Sequence, residues 1–305
     1  MSAFIDAMRG LTAGFVALGV IAANISSVKA ETGTRLELGF RRMYELKFEE
    51  ARTVIIAYRR DRPEDPLGVI ADAASYLFEE FNAKGVLTSA FFLDDKRLLG
   101  GIEGPPDSRL SAAFLEANKR ARQMAQQLLA ANPSDTEALF ALTLAYGMQS
   151  DFEALIQKRQ LASLTEMRRA ENEAARLLKL KPDQHDAYVA IGAANYIIGC
   201  VPAYKRIFLW FGGFHGDRQR GMEQLEKAAQ GGHYLKPLAM VLLALAAERE
   251  GQFDRARSLF EALQRDFPDN PLFARELALA KERSAGKPRV RASIPAQFSI
   301  ERERL

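Results

Sequence analysis

The sequence is poor in the residues that most catalytic and metal sites require. It has one cysteine (Cys200), one tryptophan (Trp210) and three histidines (His185, His215 and His233). One cysteine closes no internal disulfide, so stability must come from core packing. Cys200 lies in the apolar run 197–201, where a buried thiol is expected rather than a reactive one. None of the histidines forms H-E-x-x-H or another ligand pair at helical spacing, and surface or capping roles follow for them. There is no G-x-S-x-G and no paired Cys/His nucleophile. The glycines of 212–218 lack both the Lys-Ser/Thr of a phosphate loop and a preceding strand. Glu79-Glu80 and Asp94-Asp95 are neighbours that point in different directions along a helix, and read as solvated charge. No metal or cofactor is expected, and nothing marks the chain as an enzyme.

An excess of one charge is also lacking. There are 42 basic against 39 acidic residues, net +3, which gives no electrostatic footprint for nucleic acid. No alternating β pattern lasts more than a few residues, while 48% of the 305 residues are hydrophobic and 27% charged. That composition belongs to a folded all-α chain with a large core.

The first thirty residues differ from the rest. Arg9 precedes the apolar run 11–23, and Val28-Lys29-Ala30 ends a short polar stretch. A basic start, a short apolar run and small residues before the break are the marks of a secretory signal peptide, here cleaved after Ala30. The run is short of the ~20 residues that span a bilayer. Without residues 1–30 the balance is 40 basic against 38 acidic groups. The mature part is expected to be a helical domain over 31–283 and a mobile tail over 284–305.

One template organises the domain. In 251–268, Phe253, Ala256, Phe260 and Leu263 form a helical stripe and Pro268 stops the helix. Ala256 precedes Pro268 by twelve residues. The same interval separates Ala51 from Pro63, Ala121 from Pro133 and Ala170 from Pro182, with a variant in Gly221 and His233. A small side chain lets two helices approach, and proline ends the helix and aims the chain into the next unit. Each stop is followed by another apolar helix, such as that carrying Leu139, Leu142 and Tyr146. The pattern resembles a tetratricopeptide (TPR) repeat, and as a whole the chain resembles exported bacterial TPR proteins. The resemblance implies an α-solenoid of about five helix hairpins with a terminal capping helix. Asp72, where a leucine is usual, departs from it.

The small residues are spaced by 70, 49, 51 and 35 residues, against about 34 in a plain array. Three units therefore carry insertions between their helices, of about 36, 15 and 17 residues. The first holds Phe91-Phe92-Leu93-Asp94-Asp95. The second is helical in composition and could lengthen both helices of its hairpin by about two turns. The third, 196–217, holds Trp210 and is the candidate binding segment: Tyr196, Lys205, Arg206, Phe208, Trp210 and Phe211, with Arg218 just beyond. It reads either as core or as an apolar surface that enters a partner groove or membrane interface, bracketed by positive charge.

In TPR arrays the first helices of the units line a concave face. Here that face would carry Phe40, Tyr44, Ile70, Leu77, Phe78, Phe140, Leu144, Met148, Val189, Tyr196 and Ile197, without the basic carboxylate clamp of chaperone-binding members. Such a surface must be covered. Either the insertions fold back over it or it holds an apolar ligand or partner helix. The expected function is a non-enzymatic protein-binding scaffold of a bacterial envelope, periplasmic or envelope-associated. It would have protein partners, with peripheral membrane or lipid contact as a further outlet. The alternative is a carrier of lipid or a small apolar ligand.

Overall fold

The structure, a computed structural model, describes residues 35–201 and 215–286, and all regular structure among them is helical. Helix α1 (35–44) turns into α2 (Phe48–Asp61), followed by α3 (Pro66–Ala83). Two short helices, α4 (Ser89–Phe92) and α5 (Asp95–Gly100), precede α6 (Ser108–Ala131). Then come α7 (Thr136–Asp151), a π-helical turn (Phe152–Ile156), α8 (Gln160–Leu180), a 3-10 turn (His185–Ala187) and α9 (Tyr188–Cys200). The chain continues through α10 (Arg218–Gly231), α11 (Lys236–Arg249), α12 (Phe253–Asp266) and α13 (Pro271–Ser284). The pairs α3/α6, α7/α8, α9/α10 and α11/α12 pack as hairpins beside α1/α2, and α13 caps the last. This is the five-hairpin α-solenoid with insertions that the spacing implied.

The punctuation works as the sequence suggests. Arg62, Asn132, Lys181 and Phe267, each the residue before a template proline, are the C-caps of α2, α6, α8 and α12. Two residues beyond three of those prolines, Asp65, Asp135 and Asn270 accept the first amides of α3, α7 and α13. Stop and restart are thus written within four residues. Ala51, Ala121 and Ala256 are fully buried, with Ala170 3% exposed. A Cβ on Gly221 would lie 2.6 Å from the Tyr196 amide nitrogen and 2.8 Å from the Gly192 carbonyl oxygen, so α9 and α10 cross backbone to backbone. Phe260 and Leu263 are buried as the stripe requires, each burial stabilising by about 1.5–3 kcal/mol. Phe253 is 37% exposed, because it starts α12 at the rim.

The insertions divide between longer helices and a separate motif. Helices α11 and α12 have 14 residues each, whereas α8 has 21, and α7 with its π turn runs unbroken from 136 to 156. The second insertion therefore extends its hairpin by two turns on each side. The first lengthens α3 and α6 to 18 and 24 residues and leaves α4 and α5 between them as two short helices.

The first hairpin also touches the last ones. The Tyr44 ring packs at a tilt on Phe267, with ring centroids 5.7 Å apart, and its hydroxyl donates to the Tyr234 carbonyl at 2.9 Å. Phe40 packs on Tyr234 at 4.9 Å. Lys47 pairs with Asp269 at 2.8 Å, Arg41 donates to the Asp266 carbonyl at 3.1 Å, and Asn270 Nδ2 donates to the Tyr44 carbonyl at 2.7 Å. The array closes on itself.

Candidate interaction site

The inner apolar face is covered by the chain itself. Phe40, Ile70, Leu77, Phe140, Met148, Val189 and Tyr196 are all buried, while Tyr44, Phe78, Leu144 and Ile197 are part-buried. The two covering pieces are α1, on the side of Tyr234 and Phe267, and the α4–α5 insertion, which reaches α11 and α13. The first insertion folds back onto α11 and α13.

Of the four carboxylates expected to be solvated, Glu80, Asp94 and Asp95 serve that insertion. Glu80 is 2% exposed and accepts the Asp107 amide at 3.1 Å where the insertion returns to α6. Glu79 pairs with buried Arg52 at 2.8 Å. Asp94 caps α5, and Asp95 pairs with Arg249 of α11. Adjacent carboxylates do diverge, but each meets a partner that sequence periodicity cannot show. Asp72, the departure from the repeat pattern, is buried against Arg59. Burial pushes its carboxyl above the usual range, with Arg59 and Arg52 opposing.

Of the candidate binding residues, Tyr196 and Arg218 lie within the described residues, and the structure brings them together. Lys205, Arg206, Phe208, Trp210 and Phe211 lie outside the described residues. Tyr196 is 2% exposed, which corrects its placement on a binding surface. Its hydroxyl meets the Ala246 carbonyl at 3.3 Å and Glu250 Oε1 at 3.2 Å, and burial, with Cys200 and Glu250 nearby, raises its pKa. Arg218 donates to the Gly199 carbonyl at 3.0 Å and to the same Glu250 oxygen at 3.2 Å. Glu250, which follows α11, thus gathers one residue from each side of the third insertion; nothing in its sequence context singled it out. Cys200 is half-buried, and burial raises its thiol pKa against the pull of Arg249 and Arg218. It is held as a neutral thiol.

The two ends of this insertion are pressed together. A Cβ on Gly216 would sit 2.3 Å from the Gly199 amide nitrogen, and one on Gly199 would sit 2.8 Å from that of Arg218. Residues 199 and 216 form a neck that only glycine allows, with Tyr196, Arg218 and Glu250 bracing it. The signal for this neck was in the sequence, as the glycines flanking the aromatic run. A second surface feature is a cleft of about 320 Å³ where α1 meets α11 and α12, with Met240 and Phe267 below and Arg41, His233 and Lys236 at the rim. His233 pairs there with Glu37 at 2.6 Å. Among the described residues, no group of three His, Cys, Asp or Glu could hold a metal ion, and no helix is long and apolar enough to cross a membrane.

The hairpin register, the small-residue crossings and the proline stops are those of a tetratricopeptide-like repeat fold. More particularly, residues 136–278, just under half of the chain, match the model of the family described as Iml2/Tetratricopeptide repeat protein 39. A crystal structure of a thermophilic TPR protein from Thermus thermophilus is similar at 15% identity and a TM-score of 0.43, over 82% of this chain and 98% of that one. No curated protein sequence matches. Repeat arrays of this kind are typically protein-binding scaffolds.

Proposed function

We propose that this protein is a non-enzymatic protein-binding and assembly scaffold of the bacterial cell envelope, exported by residues 1–30 and engaging its partner through the third insertion. The observation that carries the reading is the neck. Gly199 and Gly216 fix both ends of one insertion at a single rigid point on α9 and α10, braced by Tyr196, Arg218 and Glu250. The aromatic residues between these two glycines fall outside the repeat pattern of the sequence. Lys205 and Arg206 flank those aromatics and suit acidic groups on a partner or a membrane surface, while Arg218 is engaged by Glu250.

Two measurements test it. Residues 1–35 fused to a reporter active only outside the cytoplasm should direct secretion and yield a mature N-terminus at Glu31; soluble protein that retains Met1 removes the envelope assignment. Trp210→Ala should leave the melting temperature near native and abolish partner capture from envelope fractions. A loss of roughly 3–5 kcal/mol of stability would instead mark Trp210 as core.

A further inference from the structure

The one-turn helix α4 is bound end to end by residues of other repeats. At its start the Ser89 amide donates to Glu276 Oε2 of α13 at 3.1 Å. The Ser89 hydroxyl accepts from Arg283 at 3.2 Å, and Arg283 is held in turn by Glu248 of α11 at 2.5 Å. At its end the Phe92 carbonyl accepts from Arg249 Nη1 at 3.0 Å, and the second arm of that guanidinium pairs with Asp95. Between these points Phe91 is 4% exposed. A carboxylate meets the amide end and a guanidinium the carbonyl end, which satisfies backbone groups that a short helix leaves open. A single turn has no stability of its own in water, so the face that receives it imposes the conformation.

Two of these contacts read backbone alone, and three read side chains: a hydroxyl, a phenyl ring and a carboxylate. The segment is also bounded by Gly85 and Gly104. Both have positive φ, 68° and 73°, with nothing within 4 Å of where a Cβ would point. The turns at these two glycines are uncrowded, while between them the segment is pinned once more at the π turn: the Ile102 amide donates to the Leu155 carbonyl at 2.8 Å, and a Cβ on Gly101 would sit 2.4 Å from that oxygen.

We propose that this face of α11 and α13 is a peptide-binding site filled by the chain's own residues 88–95, and that a protein partner engages it by offering the same chemistry. That chemistry is a serine opening one helical turn, an aromatic side chain two residues later and a carboxylate six residues after the serine. The proposal rests on the protein-binding reading of the array. Its test uses the chain's own peptide, so it can fail while that reading stands. The tether gives the internal segment an effective concentration on the order of millimolar, so an external ligand competes only once the internal one is weakened.

The experiment is fluorescence anisotropy of a labelled peptide of residues 86–97 with the full chain. Compared are the native protein, Asp95→Ala, the double variant Phe91→Ala with Asp95→Ala, and that double variant carrying Arg249→Ala. Folding of each is checked by far-UV circular dichroism. The double variant should bind the peptide at least about tenfold more tightly than the native chain, and Asp95→Ala alone about two- to fivefold, because the tethered competitor has lost contacts. Arg249→Ala, or a peptide with alanine in place of its phenylalanine at 91, should abolish the gain. Should the double variant not fold, Asp95→Ala alone carries the test, since its carboxylate is 71% exposed and not needed for the core. Affinity equal to that of the native chain in a folded weakened variant, or binding indifferent to Arg249→Ala, overturns the proposal.

Discussion

Single residues at the crossings and turns bear more than their size suggests. At Gly221 the nearest atoms to a new Cβ are backbone, so no side chain can swing aside. Gly221→Ala should cost about 1–3 kcal/mol and Gly221→Leu more, read as a fall in melting temperature; an unchanged value would remove the tight crossing. Lys158 presents the reverse case. It is exposed with φ 58° at the tip of the third hairpin, a conformation an L side chain occupies at a cost. Lys158→Gly should therefore be neutral to stabilising by up to ~1 kcal/mol in a denaturant titration, and a clear loss would mean that the lysine stem packs at the tip. Asp72 shows why a residue out of pattern is not a residue out of place. The sequence shows a charge at a leucine position; it cannot show that Arg59, thirteen residues earlier on α2, waits beside it. Arg59→Ala should cost about 3 kcal/mol, since it strands a buried carboxyl.

At the scale of the element, the legible parts were those encoded within one turn or one helix. The small residue, the stripe, the proline and the cap lie within eighteen residues, and from them follow the hairpins and even the two-turn extension of α7 and α8. What was not legible depends on partners far away in the chain. Asn270 is the clearest example, because its position predicts a cap and it is one, with Oδ1 2.8 Å from the Leu272 amide. Its Nδ2 also donates to Tyr44, which no local pattern reveals. Asn270→Asp keeps the acceptor and replaces the donor by a charge facing a carbonyl, so it should destabilise by about 1–3 kcal/mol although the cap survives. Wild-type stability would show that this contact is dispensable. Nearby, burial raises the Glu45 carboxyl, but hydrogen bonds from Arg42 and Lys47 outweigh it and hold the pKa below the usual value. The hydrogen bond from Lys47 does the same for Asp269. Both folded values lie below the unfolded ones, so the contribution is present at neutral pH and is lost as pH falls through the ordinary carboxylate range and below. Hydrogen exchange of α13 amides, corrected for intrinsic rates, should accelerate on acidification and in high salt. Protection that ignores both would mean that the clasp does not hold α13.

For the molecule as a whole, the contacts between first and last hairpins change what kind of object the array is. An open solenoid is nearly one-dimensional: each unit knows only its neighbours, ends fray, and copies can be gained or lost without consequence for distant ones. Here Tyr44, Lys47 and Arg41 meet residues 266–270, and α4 joins the second unit to the fifth and to α13. A chain joined in this way has no terminus from which to unzip. Its unfolding should be one event, with circular dichroism and fluorescence transitions that coincide. Removal of residues 269–305 should lower the melting temperature of the entire protein instead of trimming one helix from it; two separated transitions in the intact chain would show independent units. The number of repeats is then set by geometry, since a ring that lacks one hairpin or gains one no longer meets its own beginning. Related chains of this architecture should vary in their insertions and hold their hairpin count fixed.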